Sequence, residues 1–99
     1  MRKKGNSMQQ LTVIVPPSIR PYVGGQSRIT VEAQTVREAL GAMSAKSAQL
    51  KEHLFDSEGE INRFVRIFVN GRPVPLGSRG DEAVENGAEI AVVLALAGG

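Results

Sequence analysis

The chain begins with apolar positions spaced as in β-strands. Residues 11–15 are β-branched and apolar, and Pro16-Pro17 ends the segment because proline fixes φ and lacks an amide donor. Residues 28–32 alternate strictly between polar and apolar, which is typical of a half-buried antiparallel strand. With a loop and Gly24-Gly25 between them, these two segments are predicted to form a hairpin.

A helix is predicted next. Thr35 and Glu38 form a capping box, in which each side chain can accept a hydrogen bond from an amide at the helix start. An apolar stripe follows at i, i+3, i+4 and i+7, namely Val36, Ala39, Leu40 and Met43. Leu50 and Leu54 indicate a second, shorter helical segment.

The second half of the chain is predicted to return to strands. Residues 64–69 form the strongest strand pattern, and Asn70-Gly71 after it is the preferred pair for a tight hairpin turn. Residues 74–76 would be a short returning strand and residues 81–85 a single helical turn. Residues 89–95 are apolar almost throughout, which favours a central strand that is buried along much of its length.

This order of elements predicts an α+β fold, in which a mixed sheet of four to five strands carries one main helix across one face. We expect one domain over residues 8–95, preceded by a disordered leader or added remnant at 1–7 and followed by a flexible tail at 96–99.

Charge and composition narrow the function. Three of the twelve basic residues lie within residues 2–4, so from Met8 onward nine basic residues stand against ten acidic ones. The basic excess therefore belongs to the leader, and with 4% aromatic residues we expect no nucleic-acid partner. No apolar run is long enough to span a membrane and no signal-peptide core follows the leader, so we expect a cytoplasmic protein without a membrane partner.

The side chains offer little for catalysis. Cysteine is absent, and His53 is the only histidine, so no Ser-His-Asp, cysteine or metal-ligand arrangement can be built around it. The acidic loop Asp56, Glu58 and Glu60 is typical of a solvated turn. We expect no catalytic residue, no metal site and no enzyme acting alone.

The C-terminal residues differ from the rest. The last predicted strand leads directly into Leu96, Ala97, Gly98 and Gly99. A terminal Gly-Gly on its own is weak evidence, but a narrow tail after a core strand could enter a partner's active site. From Ala95 onward it would reach roughly 15 Å when extended.

From about Leu11 to Gly99 the chain resembles the ThiS/MoaD family of ubiquitin-like sulfur carriers. The resemblance lies in the order of elements, in residues 64–71 and in the terminal Gly98-Gly99. It is greatest for the CysO-like branch of cysteine biosynthesis, through residues 15–16, Ile19, residues 20–21, residues 24–26 and residues 97–99. The resemblance implies the β-grasp, or ubiquitin-like, fold.

It also implies a mechanism. An E1-like adenylyltransferase would use ATP with Mg²⁺ to convert the Gly99 carboxylate to an acyl-adenylate, and sulfide or a persulfide would displace AMP to leave a thiocarboxylate. Gly98 would allow close backbone approach, and Leu96 and Ala97 would complete the tail in the partner's site. The chain itself would bind no cofactor. Its partners would be the adenylyltransferase, a sulfur-accepting biosynthetic enzyme, and a protein that processes the C-terminus or donates sulfur.

A partner surface is expected on the strand over residues 64–69. Alternation places Phe64, Arg66 and Phe68 on the face that carries the arginine, which favours exposure, and aromatic and arginine side chains are enriched at binding hot spots. The alternative is that a loop of the same chain covers Phe64 or Phe68.

Two other functions stay open at this point. The same activated Gly99 could be joined to lysines of other proteins, or the domain could be a non-covalent ubiquitin-like module. The final acceptor of the sulfur, in cysteine, thiamine, molybdopterin or secondary-metabolite synthesis, is not fixed by the sequence.

Overall fold

The protein forms a five-stranded mixed sheet with helices on one face. The computed structural model describes residues 9–75, 77 and 80–94. The strands are β1 (Gln9–Ile14), β2 (Arg28–Ala33), β3 (Val65–Val69), β4 (Arg72–Pro73) and β5 (Glu89–Leu94), arranged in the order β2-β1-β5-β3-β4. The α+β class and the mixed sheet predicted from the sequence are confirmed.

The first and last strands lie side by side in the centre of the sheet. β1 pairs antiparallel with β2, from Gln9 opposite Ala33 to Ile14 opposite Arg28, which confirms the predicted hairpin. β1 also pairs with β5 in parallel, and β5 pairs antiparallel with β3. Both central strands therefore have hydrogen-bonded neighbours on both edges.

Two helices cover the inner face of the sheet, α1 (Val36–Ser44) and α2 (Ala48–Leu54). The Thr35 hydroxyl caps α1 by accepting from the Glu38 amide at 3.2 Å. The Glu38 carboxylate accepts in turn from the Gln34 amide at 2.8 Å, whereas a standard capping box uses the amide of the cap residue, here Thr35. The predicted capping box is therefore present, with its second amide shifted by one residue. Ser47 caps α2 through the amide of Leu50.

The core lies between this helical layer and the sheet. Its largest fully buried side chains come from β1, the segment after β1, both helices, β3 and β5: Leu11, Ile19, Leu40, Met43, Leu50, Leu54, Ile67 and Ile90. All residues of the predicted stripe on α1 are buried. The two residues expected to form a second helical segment, Leu50 and Leu54, both contribute to this core.

The segment after β1 is more ordered than the expected loop. It forms a 3-10 helix over Pro17–Val23 that buries Ile19 and Val23. Proline is tolerated in the first turn of a helix because that amide has no intrahelical partner. Gly24 ends the helix with φ of 70° and its amide bonds to the carbonyl of Arg20, which is the usual role of glycine at a helix C-terminus.

Asn70 and Gly71 form the predicted two-residue turn between β3 and β4, with φ of 52° and 85°. The returning strand, however, was wrongly placed at residues 74–76. Tight pairing across the turn sets Arg72 opposite Val69 and Pro73 opposite Phe68, so β4 begins directly after Gly71. Val74 still donates to the Ile67 carbonyl at 2.9 Å and is buried, whereas Leu76 lies outside the described residues.

The helical turn predicted for residues 81–85 is wrong. Ala83 instead forms an isolated antiparallel bridge with Thr35, just before α1. The Val84 amide donates to Gln34 at 3.1 Å, and the Val36 amide donates to Glu82 at 3.0 Å. Pairing with a distant segment takes the backbone groups that a local helical turn would have used.

Arg37 of α1 forms an ion-pair network close to the Thr35–Ala83 bridge. The Arg37 guanidinium pairs with Glu60 and with Asp81, the latter at 3.1 Å. The hydrogen bond with Asp81 and the charge of Glu60 raise the pKa of Arg37 above its usual value. A Cβ on the buried Gly80 would lie 2.7 Å from this guanidinium, so glycine leaves room for the network there.

Candidate partner face and tail exit

The strand that leads to the C-terminus lies in the middle of the sheet. β5 is held by β1 on one edge and by β3 on the other, and Leu94 lies opposite Val65 at the start of β3. Leu94 is half-buried and packs against the core. The last strand is therefore central in the sheet, as predicted, and Leu94 is its last described residue.

The exposed end of the sheet next to Leu94 is called here the exit edge. It comprises the end of β5 (residues 93–94), the chain after β1 (residues 15–20) and the chain at the start of β3 (residues 62–66). β1 runs parallel to β5, so its C-terminal end reaches the same edge. β3 runs antiparallel, so its N-terminal end reaches it.

Within the part of the chain that the structure describes, no helix covers the outer face of the sheet. The outward residues of neighbouring strands form a row across it, because residues that are opposite each other in register share a face. This row contains Arg28, Ile14, Ala91, Phe68 and Pro73. An apolar strip thus crosses β1, β5 and β3.

The three predicted partner residues lie on or beside this outer face. Arg66 is opposite Val93, and Phe68 is opposite Ala91, while Val65, Ile67 and Val69 are buried on the other side. The alternation predicted for the strand is therefore confirmed. Phe64 lies one residue before β3, which begins at Val65 rather than at Phe64.

None of the three is fully covered by the described part of the chain. Phe64, Arg66 and Phe68 are all half-buried. The Arg63 guanidinium lies over the Phe64 ring at 5.4 Å from its centroid, and Arg66 donates to the Arg63 carbonyl at 2.6 Å. The aromatic rings therefore keep accessible surface, although each is partly supported by neighbours.

Sequence reasoning missed the contribution of β5 to this face. Its continuous apolar character predicted burial along much of its length, but only Ile90 and Val92 are buried. Val93 is 44% exposed, more than any other large hydrophobic side chain among the described residues. Alternation with the buried Ile90 and Val92 places Val93 on the outward side, but the continuous apolar run of β5 gave no signal of which side the helices leave uncovered.

The remaining candidate residues are placed as follows. The tail, Leu96 to Gly99, lies outside the described residues, as does the leader. His53 is exposed on α2 and its ring centroid is 5.4 Å from that of the half-buried Tyr22. In the described ranges, no three His, Cys, Asp or Glu side chains are grouped to hold a metal ion.

The acidic loop is organised by its own backbone. The Asp56 carboxylate accepts from the amides of Glu58 at 2.9 Å and Glu60 at 3.0 Å. Glu60 is also occupied by Arg37. Across the described residues, no helix is long and apolar enough to cross a membrane.

Comparison with known proteins agrees with this architecture. The sequence model of the ThiS family matches residues 13–99. The sulfur carrier protein CysO of Mycobacterium tuberculosis (strain H37Rv) is 31% identical over 91 residues, covering 90% of this chain and 98% of CysO. A putative sulfur carrier protein of Archaeoglobus fulgidus is 32% identical over 89 residues, with the same coverage of 90% and 98%.

Solved structures give the same result. The BexX/CysO complex of Amycolatopsis orientalis contains a chain that superposes with a TM-score of 0.77 at 27% identity, covering 90% of this chain and 99% of that one. Small archaeal modifier protein 1 of Methanosarcina acetivorans superposes with a TM-score of 0.80 over 95% of this chain and 100% of that one, but at 19% identity. The second match supports the fold alone.

Proposed function

Because the chain belongs to the ThiS family, we propose that it is a sulfur carrier whose reactive group is the carboxylate of Gly99. The observation that carries the proposal is that the family match runs to residue 99, and so includes the tail that follows the central strand β5. The fold supports this role, since a strand held on both edges gives the tail a fixed point of departure.

The first step is activation by an E1-like adenylyltransferase. A carboxylate is a poor electrophile until one oxygen becomes part of a good leaving group. A Gly99 oxygen attacks the α-phosphorus of ATP, pyrophosphate leaves, and an acyl-adenylate forms. ATP and Mg²⁺ are bound by the partner, and this chain supplies a terminus without a Cβ that fits a narrow channel.

The second step exchanges AMP for sulfur. Hydrosulfide attacks the carbonyl carbon and AMP leaves, which gives the thiocarboxylate without any change of oxidation state. If a persulfide attacks instead, the product is an acyl disulfide, and a thiol must then reduce the S–S bond to release the thiocarboxylate. The ionised sulfur is a nucleophile for a sulfur-accepting biosynthetic enzyme.

The outer sheet face is the surface we assign to the partners. It joins Phe64, Arg66 and Phe68 with Val93, which lies opposite Arg66. Exposed aliphatic and aromatic surface next to arginine is typical of binding hot spots. The solved assembly of the Amycolatopsis CysO with BexX supports binding of a second protein by a chain of this fold.

The likeness to CysO favours cysteine synthesis as the pathway, with thiamine, molybdopterin or a secondary metabolite as the other destinations. Because the reaction uses ATP, the proposal places the chain in the cytoplasm.

The test is a reconstituted activation assay. The chain is incubated with its adenylyltransferase, ATP and sulfide, and the release of pyrophosphate and AMP is measured together with the intact mass. We expect pyrophosphate release that depends on the chain, and a mass increase equal to replacing one oxygen by sulfur. A variant without Gly98 and Gly99 is the control and should give neither.

Two outcomes would favour the other functions. Lysine-linked adducts of the chain in a lysate, without any thiocarboxylate, would favour a protein modifier, which uses the same acyl-adenylate. Full function of the variant without Gly98 and Gly99 would favour a non-covalent module.

A further inference from the structure

Acidic and basic residues are segregated along this chain. Every aspartate and glutamate lies within residues 32–60 or 81–89. β1, β3, β4 and the 3-10 helix contain none. The arginines of these elements, Arg20, Arg66 and Arg72, therefore have no acidic residue in the same element.

Three glutamates, Glu32, Glu82 and Glu85, belong to segments at the end of the sheet where β5 begins, opposite to the exit edge, while Asp56 and Glu58 lie in the loop before Arg63. Glu32 lies opposite Gln10 near the start of β1. The Glu82 carbonyl accepts from Val36 at the start of α1, and the Glu85 carbonyl accepts from Ala88 just before β5. This end of the molecule is acidic.

Two of the arginines form ion pairs with carboxylates of the same chain. Arg28 pairs with Glu89 across the outer face, and Arg37 pairs with Glu60 and Asp81. Their charges are therefore satisfied within the chain.

Three other arginines, Arg20, Arg63 and Arg66, lie at the exit edge and are not neutralised by an ion pair within the described residues. Arg20 donates from Nε to the Val15 carbonyl at 2.9 Å. Arg66 donates to the Arg63 carbonyl, and Arg63 lies over the Phe64 ring. Within residues 9–75, 77 and 80–94, no carboxylate forms a salt bridge with any of the three. Their contacts fix the side chains in place but leave the positive charges unbalanced.

We propose that Arg20, Arg63 and Arg66 form a basic rim that docks on carboxylates of the activating enzyme, beside the opening through which the tail enters. This inference rests on the proposed function and specifies the chemistry of its partner. The planar guanidinium matches a carboxylate with two hydrogen bonds, and anchored side chains lose less entropy when they bind.

The position of the rim gives it a second effect. A charged patch accelerates and orients the encounter between proteins by about 10- to 1,000-fold at low salt. Because the acidic end lies opposite, a partner with an acidic rim around its channel attracts the exit edge and repels the other end. The encounter is therefore biased toward the orientation that places Gly99 in the active site.

The experiment measures kcat/KM for pyrophosphate release by the E1-like adenylyltransferase with the chain as its substrate. Arg63→Glu and the double variant Arg63→Glu/Arg66→Glu are compared with Arg72→Glu. Arg72 is the matched control, because it is exposed, unpaired among the described residues, and located at the opposite end of the β3–β4 hairpin. Arg63→Lys keeps the charge.

We expect kcat/KM to fall about tenfold for Arg63→Glu and further for the double variant at low salt, through KM, with kcat unchanged. Arg72→Glu should stay within about twofold of wild type, whereas Arg63→Lys, which keeps the charge but not the planar guanidinium, should lower kcat/KM by less than Arg63→Glu does. Raising salt from about 20 mM to about 0.3 M shortens the screening length from roughly 20 Å to roughly 6 Å, so the wild-type rate should fall toward that of the double variant. Circular dichroism and thermal unfolding verify that each variant is folded.

The outcomes separate this inference from the proposed function. A wild-type chain that releases no pyrophosphate would overturn both. An active wild type with folded glutamate variants of unchanged kcat/KM and unchanged salt dependence would overturn the basic rim alone. Arginine-dependent binding of a homopolymer RNA, with activation unaffected, would also overturn it in favour of a nucleic-acid surface. Rescue of Arg63→Glu by a lysine replacing an acidic residue of the enzyme's channel rim would support it most strongly.

Discussion

Two asparagines with the same side-chain contact but different backbone conformations provide a sharp test of what stabilises the sheet. The Asn70 side-chain oxygen accepts from the Glu89 amide at 2.9 Å, and that of Asn86 accepts from the Gln10 amide at 2.8 Å. Both precede glycine. Only Asn70 has a positive φ, 52°, a region that residues other than glycine and asparagine adopt at a cost.

The expected losses of unfolding free energy follow from the side-chain hydrogen bond and from the backbone strain at positive φ. Removing the hydrogen bond costs about 1 kcal/mol at either site. At Asn70, alanine adds about 1 kcal/mol of left-handed strain, so Asn70→Ala should cost about 2 kcal/mol. Asn70→Gly avoids the strain but makes the unfolded chain more flexible, which adds about 0.5 kcal/mol to the lost hydrogen bond and gives a net cost of about 1.5 kcal/mol.

At Asn86 we expect the glycine variant, rather than the alanine variant, to be the less stable of the two. Asn86→Ala loses only the hydrogen bond, about 1 kcal/mol, whereas Asn86→Gly adds the flexibility of the unfolded chain and should cost about 1.5 kcal/mol. Urea unfolding of the four variants, followed by circular dichroism, measures these free energies. Alanine and glycine variants of equal stability at Asn70 would refute the strain argument, and an Asn86→Ala variant as stable as wild type would refute the value given to the hydrogen bond.

Three further predictions concern the core, the helix start and the outer face. Leu40 is fully buried on α1, so Leu40→Ala should cost about 2–5 kcal/mol in urea unfolding, whereas Ala42→Ser on the exposed side of the same helix should cost less than about 1 kcal/mol. Thr35→Ala removes the hydroxyl that caps α1 and should cost about 1 kcal/mol by the same measurement; a loss under about 0.3 kcal/mol would mean that the cap does not stabilise the helix. Val93→Ser should raise the KM for activation about five- to tenfold while stability changes little, since it removes apolar surface from the partner face, and Thr30→Ser on the edge strand β2 should leave KM unchanged.

Local signals in the sequence located most elements of the fold correctly. The Thr35 capping box, the apolar stripe on α1 and the Asn70-Gly71 turn act over a few residues, so their outcome depends little on distant parts of the chain. Two of the errors, at residues 74–76 and 81–85, occur where pairing with another segment decides the structure. Ala83 lies opposite Thr35, and that long-range partner has no trace in the local pattern.

The candidate partner face was predicted only in part, again because pairing between distant segments decides which residues lie together. Alternation placed Phe64, Arg66 and Phe68 on the outward side, and the sheet confirms that parity for Arg66 and Phe68, whereas Phe64 precedes β3. It could not reveal Val93, because a continuous apolar strand gives no sign of which face the helices leave uncovered. Register between strands brings Val93 beside Arg66, and register is a property of the assembled sheet.

The most direct test of sulfur carriage locates the sulfur. The chain, treated with its adenylyltransferase, ATP and sulfide, is digested, and the C-terminal peptide is analysed by mass spectrometry. We expect the mass increase of one oxygen replaced by sulfur, confined to Gly99 and lost without ATP. An alkylating reagent should add the mass of its alkyl group to the sulfur, and an acceptor enzyme that takes the sulfur should reverse the increase. An unchanged C-terminal peptide, in a reaction where the same enzyme converts its own established carrier, would contradict the account.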